Sequence, residues 1–330
     1  MLPVNTGVAL VTGCAQGIGR AVATRLASDG FHLALTDLPG KQGHVEDLVH
    51  ELSKRRSDIR THVALGDVSV ENTVRNSIKD VVVTAAAICP VNLLCDRAWL
   101  GPGILTMSAG STCFNFVITT EKQWDNIFSV NTKGTFFYYK HVGKQMIKQG
   151  RGGRIIGMSS ITGKRGVISR FLNLEMNSLK NLQLAWIYSI GLPFIGPYSA
   201  SKYAVRGLTQ AAASEFGKYG ITVNACAPGS IETQLLRDAG VALEKLLTEE
   251  SPAGLADVID PSHAPLGRLG QPEDIAGLVS YLASADSSFM TVNAAQRSSD
   301  LSKIHDLRRK KVLSLADSSS KQESQKKKLR

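Results

Sequence analysis

Tyr198 and Lys202 stand four residues apart in Tyr198-Ser199-Ala200-Ser201-Lys202, so a helix would carry the phenol and the ammonium on one face. A lysine ammonium favours the neighbouring phenolate. It moves a tyrosine from its ordinary pKa of about 10 toward neutrality, where the group can give and take a proton. Upstream, the apolar run Arg154-Ile155-Ile156-Gly157-Met158 ends on Ser159-Ser160. The tyrosine–lysine spacing alone arises by chance on many helices. Joined to Ser160, Asn131 and the glycine loop described next, it becomes specific.

Thr12-Gly13-Cys14-Ala15-Gln16-Gly17-Ile18-Gly19 follows the short apolar run Val8–Val11 and opens a helix-like segment. Gly13 permits a tight strand-to-helix turn, Gly17 lets the backbone approach a pyrophosphate, and Gly19 lets the helix pack close to the sheet. The N–H groups of the helix then face the anion. Asp37 closes the second strand-like run, Leu33–Asp37. A carboxylate there can accept from the ribose hydroxyls of an adenosine and would repel a 2′-phosphate. No Arg or Lys occupies 14–16 or 38–40. The expected cofactor is therefore NAD, with NADP the less favoured choice; no metal-ligating pattern is present.

These residues need a scaffold. Short apolar runs alternate with amphipathic segments, which predicts a parallel sheet with helices on both faces. The expected strands are Val8–Val11, Leu33–Asp37, His62–Asp67, Ile104–Met107, Arg154–Ser160 and Ile221–Ala225. A capping box at Thr120 and Gln123 starts a helix that should run to about Gln149 and carry Asn131. Gln271-Pro272 starts a last helix, with Ile275, Leu278 and Leu282 facing inward.

Formal net charge is +10 over 330 residues, but the tail 296–330 alone carries +7 from eleven Lys/Arg and four Asp/Glu. The body is nearly balanced. Residues 1–295 are expected to form one domain and 296–330 a basic disordered tail. Its runs Arg308–Lys311 and Lys326–Lys328 have no interleaved aromatic residues, so nucleic acid is not the expected partner. Five irregularly spaced cysteines without a CxxC pair suggest a reduced, cytoplasmic protein. No run of about 18 uninterrupted apolar residues predicts a membrane span.

Thr12-Gly13-x-x-x-Gly17-Ile18-Gly19, Asp67-Val68, Asn131, Ser160, Tyr198-x-x-x-Lys202 and Pro228-Gly229-x-Ile231-x-Thr233 together resemble the short-chain dehydrogenase/reductase family. The stretches Val11–Gly19, Tyr198–Gln210 and Gly220–Asn224 are similar to its acetoin/diacetyl reductase, or butanediol dehydrogenase, branch. The resemblance implies a single doubly wound Rossmann-type α/β domain with a parallel sheet. It implies Tyr198 as proton donor in reduction and acceptor in oxidation, with Lys202 holding the nicotinamide ribose. It further implies Ser160 on the substrate carbonyl, Asn131 on a relaying water, and Ile231 and Thr233 at the nicotinamide carboxamide. Gly13, Gln16, Gly17, Ile18, Gly19, Asp37, Asp67, Val68, Ser108, Pro228 and Gly229 would line the cofactor. The implied reaction is hydride transfer between NAD and a small ketone, vicinal diketone or corresponding alcohol. Another family substrate, a sugar alcohol or 3-oxoacyl group, and a protein that binds NAD without turnover are the alternatives.

Three departures from the family stand out. Ser108-Ala109-Gly110 replaces an Asn-Ala-Gly, and residues of about 85–103 read as inserted. Ser160 and Tyr198 are 38 residues apart, with the 25 residues Ile168–Leu192 in excess of the usual connection. After Met290-Thr291 the expected last edge strand is missing or replaced, which bears on whether the chain forms a homo-oligomer. Each departure divides otherwise continuous family sequence, and retained introns or a misassembled gene are the hypothesis that follows. Mature transcripts encoding all three segments would refute it.

Overall fold

The computed structural model of the protein describes residues 7–86, 91–96, 119–164, 196–238, 266–292 and 294–295. Seven parallel strands form one sheet in the order β3-β2-β1-β4-β5-β6-β7. They are β1 Val8–Thr12, β2 His32–Thr36, β3 Thr61–Val63, β4 Val91–Asp96, β5 Gly153–Met158, β6 Ile221–Cys226 and β7 Ala294–Ala295. The order reverses at β1, so the chain is doubly wound, and the crevice beyond the strand C-termini beside β1 is where such sheets accept ligands.

Helices α1 Gly17–Ser28, α2 Gln42–Arg55, α3 Glu71–Ala86, α4 Glu121–Phe128, α5 Thr135–Gln149, α6 Gly196–Phe216 and α7 Pro272–Ala283 cover the two faces. The strands are apolar on both sides because each side meets helices. From β1, Ala9 and Val11 join α1, α2 and α7 through Val22, Leu26, Leu48, Val279 and Leu282. Val8 and Leu10 join α3, α5 and α6 through Val74, Ile78, Tyr138, Met146 and Ala213. The single-residue alternation along β1 is therefore what separates the two cores. None of the described helices is long and apolar enough to cross a membrane.

The fourth strand corrects the sequence reading. It lies at Val91–Asp96, in register with β1 (Leu10 opposite Leu94) and with β5 (Leu94 opposite Ile155), ahead of the expected run Ile104–Met107. The end of α3 and all of β4 fall within the span 85–103. Helix α3 ends at Ala86, and a strand from Val91 needs only a short connection of the usual αβ length. Ile104–Met107, Ser108, the excess segment Ile168–Leu192 and the tail 296–330 lie outside the described residues.

At the far edge, β7 is two residues long, with Ala225 opposite Ala294 and Cys226 opposite Ala295. A short replacement thus stands where a full strand was missed. The Thr120 capping box is present, Thr120 Oγ1 accepting from Gln123 N and Gln123 Oε1 from Thr120 N. The expected single helix from there to Gln149 is interrupted by a π-helical turn, Ser129–Gly134.

Candidate active site

The loop after β1 supplies the first half of the site. Gly13 and Gly17 take left-handed φ of 60° and 54°, which a side chain would resist. A Cβ on Gly19 would run into the carbonyl of Gly13, so the loop closes on α1 only because this residue has none. Gln16 at the N-cap makes no side-chain cap, and the first turn of α1 holds no acidic residue. The helix therefore presents orphan N–H groups and the positive end of its dipole. A dinucleotide pyrophosphate fits this edge.

Asp37 is 7 % exposed. Its Oδ2 accepts from Ala15 N at 2.9 Å and its Oδ1 from Leu38 N at 2.8 Å. The carboxylate thus fastens the end of β2 to the glycine loop, and each oxygen keeps lone pairs for a ribose hydroxyl. Burial, and then the nearby Asp37 charge, push the Cys14 thiol up to about 12. Lys41, one residue beyond positions 38–40, brings Nζ to 3.4 Å from Gln16 Oε1. Its distance in sequence from the glycine loop hid it; only the turn Pro39–Lys41 after β2 returns it there. Asp67 is exposed and accepts from Ser69 N, while Val68 packs beside Gly134 and the core under α3 and α5.

The second half gathers at the ends of β5 and β6 and the start of α6. Ser159 N donates to Cys226 O, and Ile161 N to Pro228 O, so the two strand ends travel together. The Ser159 hydroxyl donates to the Lys202 carbonyl at 2.9 Å. The Lys202 ammonium donates to Met158 O at 3.0 Å and lies 5.6 Å from the centre of the Tyr198 ring. Lys202 is 3 % exposed; a cation so buried persists only with good partners. Ser160 Oγ accepts from Thr162 N and from Thr162 Oγ1 at 3.1 Å. Its own proton therefore remains to be donated elsewhere.

Asn131 is fully buried in the π turn, and its Nδ2 donates to Ser201 Oγ at 3.0 Å. The extra residue of a π turn swings Asn131 toward α6, a use of such turns common at functional sites. Beyond β6, Pro228 and Gly229 lead to Ile231, which is 8 % exposed and bridges to Gly270. Thr233 Oγ1 accepts from Leu236 N and donates to Ile231 O, fixing the loop that leaves the sheet. The structure thus brings Asn131, Ser160, Tyr198 and Lys202 onto three adjoining elements, and holds Gly13–Gly19 and Asp37 together at the next strand ends. Ser159 and Ser201, which the sequence reading did not select, are the hydrogen-bonding links among them. Their only signal was adjacency to Ser160 and Lys202.

Comparison with known proteins agrees with this arrangement. Residues 7–171 match the family described as short chain dehydrogenase, and residues 182–296 the one described as enoyl-(acyl carrier protein) reductase. A short-chain dehydrogenase/reductase of Armillaria gallica is 40 % identical over 286 residues, covering 86 % of this chain and 91 % of the relative. A (3R)-3-hydroxyacyl-CoA dehydrogenase of Rattus norvegicus is 32 % identical, covering 88 % and 94 %. An (S)-acetoin-forming diacetyl reductase of Staphylococcus aureus is 32 % identical, covering 87 % and 94 %. Among solved structures, levodione reductase superposes with TM-score 0.69 at 24 % identity, covering 89 % and 96 %, a likeness of fold. An acetoin dehydrogenase of Salmonella typhimurium superposes with TM-score 0.63 at 26 % identity, covering 88 % and 95 %.

Proposed function

The chain belongs to the short-chain dehydrogenase/reductase family, nicotinamide-dependent oxidoreductases acting on CH–OH groups, and from that premise we propose that it interconverts a small ketone or vicinal diketone with its alcohol, using NAD. Diacetyl and acetoin are the type of substrate. The observation that carries this reading is the buried Lys202 ammonium, 5.6 Å from the Tyr198 ring and held on the strand end that bears Ser160. The diacetyl reductase and acetoin dehydrogenase relatives support the substrate class.

In this reading a nicotinamide bound along the β1, β5 and β6 ends supplies the two-electron chemistry. The chain supplies the proton and the oxygen partners. Ser160 donates its unspent proton to the carbonyl oxygen. Tyr198 gives that oxygen its proton in reduction and takes it back in oxidation, and the Lys202 charge favours the phenolate left behind. Lys202 also holds the ribose, and Asn131 holds a water in the proton path. Ile231 and Thr233 meet the carboxamide, Asp37 the adenosine ribose, and Asp67, Val68 and Ser108 the rest of the cofactor.

The test is NADH oxidation by the purified full chain with diacetyl as acceptor, with thermal shifts for NAD and NADP. Turnover of diacetyl and a larger shift with NAD are expected. Turnover of 3-oxoacyl-CoA but not diacetyl would replace the substrate by the one suggested by the rat relative. A cofactor shift with no turnover of either would leave a binding protein. A second cofactor reading, NADP, is favoured by Lys41 alone, since its ammonium near Gln16 could meet a 2′-phosphate. Equal shifts with both cofactors, with the NADP shift lost in Lys41→Ala, would support it. Among the described residues the sheet edge open to self-association is the two-residue β7, and sedimentation measures whether a homo-oligomer forms.

A further inference from the structure

Ser160 caps the short helical turn Ile161–Gly163 that follows β5, and its Oγ accepts from Thr162 N at 3.3 Å. That bond is an ordinary cap. A second bond is not needed for capping: Thr162 Oγ1 donates to the same Oγ at 3.1 Å. A serine hydroxyl has two lone pairs and one proton. Both lone pairs of Ser160 are therefore spent on a single residue, and this hydroxyl can only donate.

The turn that carries Thr162 is held from three directions. Ile161 N donates to Pro228 O beyond β6, and Gly163 N and Lys164 N close the turn on Ser160 O and Ile161 O. Gly163 presses on α6 so closely that a Cβ would stand 2.7 Å from the Lys202 carbonyl. Thr162 and Ser160 are both buried, so a Thr162 hydroxyl turned away from Ser160 would lose its partner at the cost of an unmade buried hydrogen bond. Bonds accepted by an oxygen also strengthen the one it donates, because the linked dipoles polarise in one direction.

We propose that Thr162 is a positioning residue for Ser160: by filling both acceptor sites of Oγ it makes Ser160 a donor only, and its proton is left for the substrate oxygen. In the reduction proposed above, Tyr198 and Ser160 meet that one oxygen. A Ser160 with an open lone pair would compete for the Tyr198 phenol proton, and a proton given to Ser160 is not given to the substrate. Thr162 closes that lone pair. Each hydroxyl keeps its own proton, and no covalent bond changes at either residue. The use of this donor on a carbonyl rests on the proposed function; the direction of the two hydroxyls does not.

The experiment compares the full-length protein with Thr162→Val, which keeps the shape and removes the hydroxyl, and Thr162→Ser, which keeps the hydroxyl and removes the methyl. In the valine variant kcat for carbonyl reduction should fall about fivefold to tenfold, the size of one lost hydrogen bond, with KM for cofactor and substrate within about twofold. The serine variant should stay within about twofold of the wild-type kcat. A threonine that serves packing alone gives the opposite order, with serine below valine, and that result overturns the proposal. Thr162→Val should also have no further effect on the residual turnover of Ser160→Ala, since the oxygen it acts through is then gone. An equal loss in both backgrounds overturns it. If the valine variant does not fold, Thr162→Ala takes its place.

Neutron diffraction from deuterium-exchanged crystals of the wild-type protein gives an answer independent of turnover and of any variant. The deuterium on Thr162 Oγ1 should point at Ser160 Oγ, and the one on Ser160 away from Thr162. A Ser160 deuterium directed at Thr162 overturns the proposal. If no carbonyl compound is turned over, the functional reading falls, and the deuterium positions still decide whether Thr162 makes Ser160 a donor only.

Discussion

The Ser159 hydroxyl donates to the Lys202 carbonyl at 2.9 Å although 43 residues separate them. Together with the Lys202 ammonium on Met158 O, this bond ties the end of β5 to the helix bearing Tyr198, across the long connection between Ser160 and Tyr198. The neighbouring Gly163 lies so close to the same carbonyl that a Cβ would collide with it. Ser159→Ala removes a buried donor, and stability should fall by about 1 kcal/mol, read as a lower midpoint of urea unfolding with an unchanged slope. An unchanged midpoint would mean that the carbonyl finds another donor.

The connection between Ser160 and Tyr198 is itself testable. If the two halves dock through Ser159 and Lys202, the segment Ile168–Leu192 adds only closure entropy. Deleting it should preserve the NAD thermal shift and raise stability by about 1 kcal/mol, since closure costs about 0.6 kcal/mol per doubling of loop length. Loss of the cofactor shift on deletion would show that the segment is part of the folded site.

Lys202→Ala removes the buried charge beside Tyr198. In carbonyl reduction kcat should fall by about 10² or more, with a weaker cofactor shift because the ribose loses its partner. Steady-state kinetics at saturating substrate checks this. A loss confined to KM would point to binding alone.

Cys14 and Cys226 set an alkaline limit. Burial pushes each thiol up from 9.0 to about 12, aided at Cys14 by the Asp37 charge. In the unfolded chain these thiols ionise near the ordinary value, while in the folded chain they keep their protons. The stability they contribute is therefore fully present below about pH 9 and is lost as pH rises toward 12. Denaturant midpoints measured from pH 8 to 11 should fall, and Cys226→Ser should flatten that fall. The same burial predicts that neither thiol reacts with iodoacetamide at pH 8 until the protein unfolds.

Gly19→Val should abolish the NAD thermal shift, because its side chain would enter the Gly13 carbonyl and push the loop off α1. A shift of wild-type size would refute the placement of the pyrophosphate at this helix end.

The glycine loop, Asp37 and the Tyr198–Lys202 pair were legible because their meaning is local: a tight turn, a strand end, one face of a helix. The cap at Thr120 and the helix start at Gln271-Pro272 were legible for the same reason, each being a signal within one helical turn. The fourth strand was not. Val91–Asp96 and Ile104–Met107 are both strand-length apolar runs, and nothing local distinguishes them. The choice belongs to pairing with β1 on one side and β5 on the other.

By itself the sequence determined the alternation of strands and helices, the glycine turn between β1 and α1, and the residue types at Asn131, Ser160, Tyr198 and Lys202, since periodicity and short spacing act along the chain. Only the tertiary structure decided where β4 lies, that Lys41 returns to the glycine loop, and that Ser159 and Ser201 join distant elements. It also decided which end of the Asn131 amide faces Ser201. Hydrogen-bond direction depends on atoms brought together from remote positions, and no pattern of residue types along one strand or helix encodes which of them will meet.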